Sequence, residues 1–214
     1  MSRRAAAIGA FSGKSYPVDV TDTHAMAAVA ADFGVPDLVI ANAGVSAGTS
    51  GEELRDVEHL RRLLEVNVAG VAITLAAFAP AMRRAGRGTL ACIASVAGFR
   101  GLAGNGAYSA SKAAALTWME SLRTEMHGSG VAVVSICPGC IDTPMTRVNR
   151  FRMPFLLPAD EAARRIARAI ARKPRVAVVP WQMALVSVAL RAMPGWLFER
   201  LAAGAPRKPR SSSP

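Results

Sequence analysis

Tyr108 and Lys112 lie four residues apart in an Ala-rich stretch, so on a helix their side chains share one face. An ammonium close to a phenol favours the phenolate and draws its pKa down from about 10 towards working pH. Such a pair is a general acid/base, able to protonate an alkoxide or deprotonate an alcohol. Ser95 ends a strand-like run, where its hydroxyl can bond a substrate oxygen. Asn67 interrupts an apolar stripe just before Gly70. A buried amide there needs partners such as backbone groups or ordered water. Taken singly, each has a plainer reading: a surface pair, a strand-end cap, a satisfied polar group.

The elements that must position them alternate. The pattern predicts strands over Ser15–Val20, Asp37–Ala41, Thr89–Ala94, Val131–Cys137 and Arg175–Val179. Between them it predicts helices over Thr23–Phe33, Glu52–Arg84, Ala107–His127 and Pro158–Lys173. Strands apolar on both faces, alternating with helices, indicate a doubly wound α/β fold with a covered parallel sheet. Such folds bind ligands beyond the carboxyl ends of their strands, here just after Val20, Ala41, Ala94 and Cys137.

With these positions in place, the chain resembles the short-chain dehydrogenase/reductase family over about residues 3–180. Asn42-Ala43-Gly44 after a strand is similar to its Asn-Ala-Gly motif, with Ala41 where a second Asn is common. Tyr108 and Lys112 match its Tyr-x-x-x-Lys, Ser95 its catalytic serine and Asn67 its fourth catalytic residue. The resemblance implies a Rossmann-like sheet and hydride transfer between NADP or NAD and a carbonyl or alcohol. Tyr108 would move the proton, and Lys112 would lower its pKa and bond the nicotinamide ribose. Ser95 would orient the substrate, and Asn67 would hold a water. Cofactor contacts are implied for Asp19 and Val20 (adenine side), for Asn42, Ala43 and Gly44, for Tyr108 and Lys112, and for Pro138, Gly139, Ile141 and Thr143 (carboxamide side). The family pairs subunits through helices matching Glu52–Arg84 and Ala107–His127, which implies a homodimer or homotetramer.

The chain departs from the family at its front, where a strand, a Gly-rich turn, a helix and a second strand are expected. We read it as an ordinary reductase shortened by about the 30 residues of such a unit. Weak cofactor binding, an exposed sheet edge and an unpaired Ser15–Val20 would follow. The other reading is a catalytically impaired remnant acting as an interaction or membrane-peripheral module. Arg3 and Arg4 stand where NADP-preferring members place bases for the 2′-phosphate, or are simply basic residues at an exposed end. Two near-misses carry no phosphate site. Gly9–Ser15 has three residues between its glycines where a phosphate loop has four, and Gly104-Asn105-Gly106 follows a loop rather than a strand.

The 214 residues, 51% apolar and 19% charged, suit one domain with an appendage and exclude disorder as the dominant state. The division expected is a partial dinucleotide-binding catalytic domain over 1–180, an amphipathic helical extension over 181–204 and a disordered basic tail over 205–214. The net charge of +11 is uneven: residues 151–214 hold 12 basic and 3 acidic residues. Trp181–Gly204 reads as two short amphipathic helices around Pro194-Gly195. They could lie on an anionic membrane, on a partner subunit or over the substrate pocket. The segment Phe151–Leu157 reads as a substrate-covering lid, which suggests an apolar substrate if it does not simply pack on the core. Nucleic acid is not the expected partner, because no aromatic-basic recognition motif accompanies the charge. Cys92, Cys137 and Cys140 read as reduced thiols in a cytoplasmic protein, with the Cys137–Cys140 spacing a coincidence. No metal-ligand cluster is expected, and neither long apolar run reads as a membrane span.

Overall fold

The computed structural model describes residues 13–149, 153–204 and 208. Arg3, Arg4, the Gly9–Ser12 part of the phosphate-loop near-miss, Phe151, Arg152 and the tail beyond 204 except Lys208 lie outside them.

Four parallel strands form the sheet: β1 (Leu38–Ala41), β2 (Gly88–Ile93), β3 (Val131–Pro138) and β6 (Val176–Val179), in that spatial order. Two short strands, β4 (Ile141–Asp142) and β5 (Leu157–Pro158), pair separately. The helices are α1 (Thr23–Phe33), α2 (Asp56–Leu64), α3 (Gly70–Ala85), α4 (Gly106–Glu125), α5 (Ala159–Ala171), α6 (Trp181–Ala192) and α7 (Gly195–Ala202). The β2–β3 register sets Cys92 opposite Ser135 and Ile93 opposite Ile136. The carboxyl ends of β2 and β3 therefore come side by side.

Each face has its own core. On one, Val39, Leu90, Cys92 and Val133 meet Met26 of α1, Leu75 and Met82 of α3 and Met119 of α4. On the other, Ala91, Val134, Ile136 and Val179 pack with Ile170 of α5. Fully burying one such aliphatic side chain contributes about 1.5–3 kcal/mol, so the two layers hold the central strands firmly. Arg123 of α4 adds a polar clamp, donating to the carbonyls of Val133 (3.0 Å) and Arg175 (2.8 Å).

Two expectations change. Ser15–Val20 is not a strand: no sheet neighbour stands beside it among the described residues, and a lone extended segment has no ladder to join. The double cover also stops short at β1. Val39 and Ala41 are buried, whereas Leu38 and Ile40 are 42% and 44% exposed on the opposite face. β1 is thus an edge strand covered on one side.

The long helix is also not uniform. It begins at Asp56, whose carboxylate accepts the Ser50 N–H at 2.6 Å, after turns over Glu52–Arg55. Between α2 and α3 it opens into a π turn over Glu65–Ala69, where the Gly70 N–H reaches back to the Glu65 carbonyl. The run Asp56–Ala85 is long and apolar enough to cross a membrane by composition. Here its Leu75 and Met82 are fully buried against the sheet.

Candidate active site

The π turn carries Asn67. Widening by one residue rotates the following side chains, and Asn67 sits fully buried at the centre of the turn. Every hydrogen-bonding atom of its amide that the geometry identifies is used. Oδ1 accepts the Val45 N–H at 2.8 Å, and Nδ2 donates to the Val45 carbonyl at 3.0 Å and to Ser111 Oγ at 2.9 Å. Ser111 in turn donates to the Tyr108 carbonyl at 2.8 Å. One amide therefore ties the loop after β1 to the helix that carries Tyr108 and Lys112. Ser111 was missed in the sequence. It sits inside the Tyr-x-x-x-Lys window, one residue before Lys112, and nothing in its type marks it out.

Lys112 is buried beneath the sheet ends and donates to the Ile93 carbonyl at 2.9 Å. Burial pulls its pKa below the usual lysine range. Gly44 stands directly above: a Cβ there would lie 3.3 Å from Asn67 Oδ1 and 3.6 Å from Lys112 Nζ. Any side chain at 44 would fill the space over the ammonium.

Ser95 follows β2 and caps the short 3₁₀ turn Val96–Gly98 by accepting the Ala97 N–H at 3.1 Å. Gly98 seats that turn on α4. A Cβ at 98 would lie 2.8–2.9 Å from the Lys112 carbonyl group, so only glycine permits this approach. The Ser95 hydroxyl also lies close enough to Tyr108 to act on its titration. The four residues singled out for chemistry thus converge on one cluster at the carboxyl ends of β1 and β2.

The titration of Tyr108 differs from the expectation. Burial raises its pKa, and the neighbouring Ser95 hydroxyl opposes that rise. Lys112 does not deliver the expected lowering. Its Nζ is 5.8 Å from the Tyr108 ring centroid, is itself desolvated and is held by the Ile93 carbonyl.

Around this cluster, Asn42, Ala43, Val20, Ile40, Gly70 and Thr74 line a small cavity of about 150 Å³. Asp19 beside it accepts two bonds from Thr21, which hold its carboxyl below the usual range. Pro138 ends β3 and Gly139 follows it, its N–H donating to the Val179 carbonyl at 2.8 Å. Ile141 and Thr143 lie further along, in β4 and the turn after it. The Thr143 N–H donates to Thr146 Oγ1 at 3.0 Å there, within the segment rather than into the cluster. Lys208 is an unforeseen neighbour. Its Nζ donates to Ser46 Oγ at 2.6 Å and lies 6.0 Å from the Tyr108 ring centroid.

The described residues fit the nicotinamide-ribose half of a dinucleotide. A buried ammonium under a glycine with no Cβ, beside a phenol, forms a cradle for a hydroxylated ring. No Gly-rich diphosphate turn occurs among the described residues. The thiols below the site are inert: burial, joined for Cys137 by the neighbouring Cys92, pushes Cys92 up to about 11 and Cys137 to about 12.

The fold and cluster agree with the comparisons to known proteins. The family model "short chain dehydrogenase" matches residues 4–153. An oxidoreductase of Myxococcus xanthus is 41% identical over 189 residues, spanning 86% of this chain and 74% of its own. A cis-4-hydroxycyclohexanecarboxylate dehydrogenase of Sinomonas cyclohexanicum is 34% identical over 154 residues, 70% of this chain and 59% of that protein. A solved short-chain dehydrogenase of Burkholderia cenocepacia, in complex with NADP, superposes with a TM-score of 0.76 at 30% identity, covering 86% of this chain and 76% of that one. The chain belongs to the short-chain dehydrogenase family of NAD(P)-dependent oxidoreductases.

Proposed function

We propose that this chain reduces an apolar carbonyl, or oxidises the matching alcohol, with Tyr108 as the proton donor and acceptor. The observation that carries this reading is the meeting of Ser95, just after β2, with Tyr108 beside the buried Lys112, whose Nζ lies 5.8 Å from the Tyr108 ring centroid. A substrate oxygen placed between the two hydroxyls would be polarised by Ser95 and protonated by Tyr108. The nicotinamide cofactor supplies the hydride. Lys112 bonds the ribose beside the phenol, and Asn67 fixes the loop and helix between which both must fit.

Asp19 and Val20 flank the adenine side. Pro138 and Gly139, with Ile141 and Thr143 beyond them, flank the carboxamide side. NADP is preferred over NAD, a preference supported by the NADP held by the Burkholderia relative. Substrate apolarity is supported by Phe155 and Leu156, which are exposed in the covering segment just before β5. We further propose that subunits pair through the outward faces of the α2–α3 run and α4.

Tyr108→Phe tests the assignment. It should abolish turnover in both directions while leaving cofactor affinity, read by nicotinamide fluorescence, nearly unchanged. Retained turnover would reject it.

A further inference from the structure

We propose that the face formed by α5 and α6, continued by α7, docks the protein on an anionic membrane surface. The inference is independent of the oxidoreductase reading.

Helix α6 is oriented against the usual rule. Its inner side buries Met183 and Ser187, whereas Trp181, Leu185 and Val188 point outward, 65–67% exposed. Positions 181, 185 and 188 form one helical stripe. Ala189 and Ala192 are also exposed, and the whole helix contains no acidic residue. α7 adds Trp196 and Leu201, both more than 60% exposed. An outward apolar stripe of this size needs a partner.

The chemistry beside the stripe selects that partner. Arg165 and Arg168 on α5 and Arg172 just after it share with Trp181 an open cavity of about 360 Å³. Its floor is the apolar end of β6. Of the three, only Arg165 has a carboxylate within salt-bridge distance among the described residues, namely Glu161 at 2.6 Å. Guanidinium groups beside tryptophan and aliphatic side chains match a lipid headgroup layer, where phosphates meet the first methylenes. A second copy applying the same face would gather Arg168 and Arg172 of both copies into one interface, none of them with a salt-bridge carboxylate of its own among the described residues, and like charges oppose that pairing. The docked helices would be tied to the catalytic half: Arg191 lies over Phe99, and Phe198 packs under Arg100, just beyond the Ser95 turn.

The test uses the full chain with vesicles of phosphatidylcholine alone or mixed with phosphatidylglycerol. Co-sedimentation should favour the anionic vesicles by about tenfold or more and weaken with salt. The triple variant Trp181→Ser, Leu185→Ser, Val188→Ser should lose binding, and Arg168→Gln with Arg172→Gln should lose the preference for anionic lipid. Because these side chains point outward, both variants should keep the native unfolding midpoint. Intrinsic tryptophan emission of the unaltered chain, which should shift blue on anionic vesicles, provides a reading that needs no variant. Absence of vesicle binding, or equal binding to both lipid compositions, would overturn the proposal. So would a dimer seen by light scattering that the triple variant dissolves while vesicle binding is absent, since the stripe would then serve a second copy.

Discussion

Asn67 and Ser111 are 44 residues apart in sequence and share a 2.9 Å hydrogen bond between buried side chains. That bond joins the π turn to the helix carrying Tyr108, because the Ser111 hydroxyl donates to the Tyr108 carbonyl. Ser111→Ala leaves Asn67 Nδ2 with only the Val45 carbonyl. An unsatisfied buried polar group costs about 1–3 kcal/mol, so urea unfolding should show a loss in that range. An unchanged midpoint would mean that the link carries no load.

Gly98 is the hinge of the site's other half. A methyl group there meets the Lys112 backbone and must push the Ser95 turn away. Misplacing a reacting group by about 1 Å can cost on the order of 100-fold. Gly98→Ala should therefore lower kcat steeply. Gly101→Ala, where nothing lies within 4 Å of the new Cβ, should leave kcat unchanged. Equal behaviour of the two variants would contradict the packing argument.

The pH profile reports the influence of Ser95 on Tyr108. Burial raises the Tyr108 pKa and the neighbouring Ser95 hydroxyl lowers it. Alcohol oxidation needs the phenolate, so its rate rises with pH up to that pKa. Ser95→Ala removes the lowering influence, and the rise should move to higher pH as well as shrinking. A midpoint that stays put would show that Ser95 acts only on the substrate.

Lys112 couples stability to pH. Its folded pKa lies below the unfolded value of about 10.4, because burial disfavours the ammonium. Between the two values the unfolded chain binds more protons, so stability rises with pH across that window. The wild type should therefore gain on Lys112→Met as pH climbs from the folded pKa towards the unfolded one, and the difference should level off above it. Parallel stability curves for the two proteins would show that Lys112 is not desolvated.

Much of this was legible because the signals were periodic or compositional. Thr23–Phe33 follows from its apolar spacing and from Asp22, which caps Ala25. The convergence of Asn67, Ser95, Tyr108 and Lys112 follows from a motif set on strand ends and one helix face. What was not legible depends on neighbours. Ser15–Val20 has strand-like residues, but a strand exists only with a partner. The π turn at Glu65–Ala69 leaves the apolar stripe intact, so periodicity passes over it. Leu38 and Ile40 read as buried because nothing local tells a covered face from an open one. Lys208 reaches Ser46 across 162 residues, a distance no window spans.

The central claim is hydride transfer with Tyr108 supplying the proton. The most direct measurement reacts the chain with NADPH deuterated at the nicotinamide C4, offering cyclohexanone, acetophenone and a medium-chain ketone. Mass spectrometry then locates the label. The account expects deuterium on the carbinol carbon with the wild type and none with Tyr108→Phe. Label reaching product equally in both proteins, or reaching none with the wild type, would contradict it.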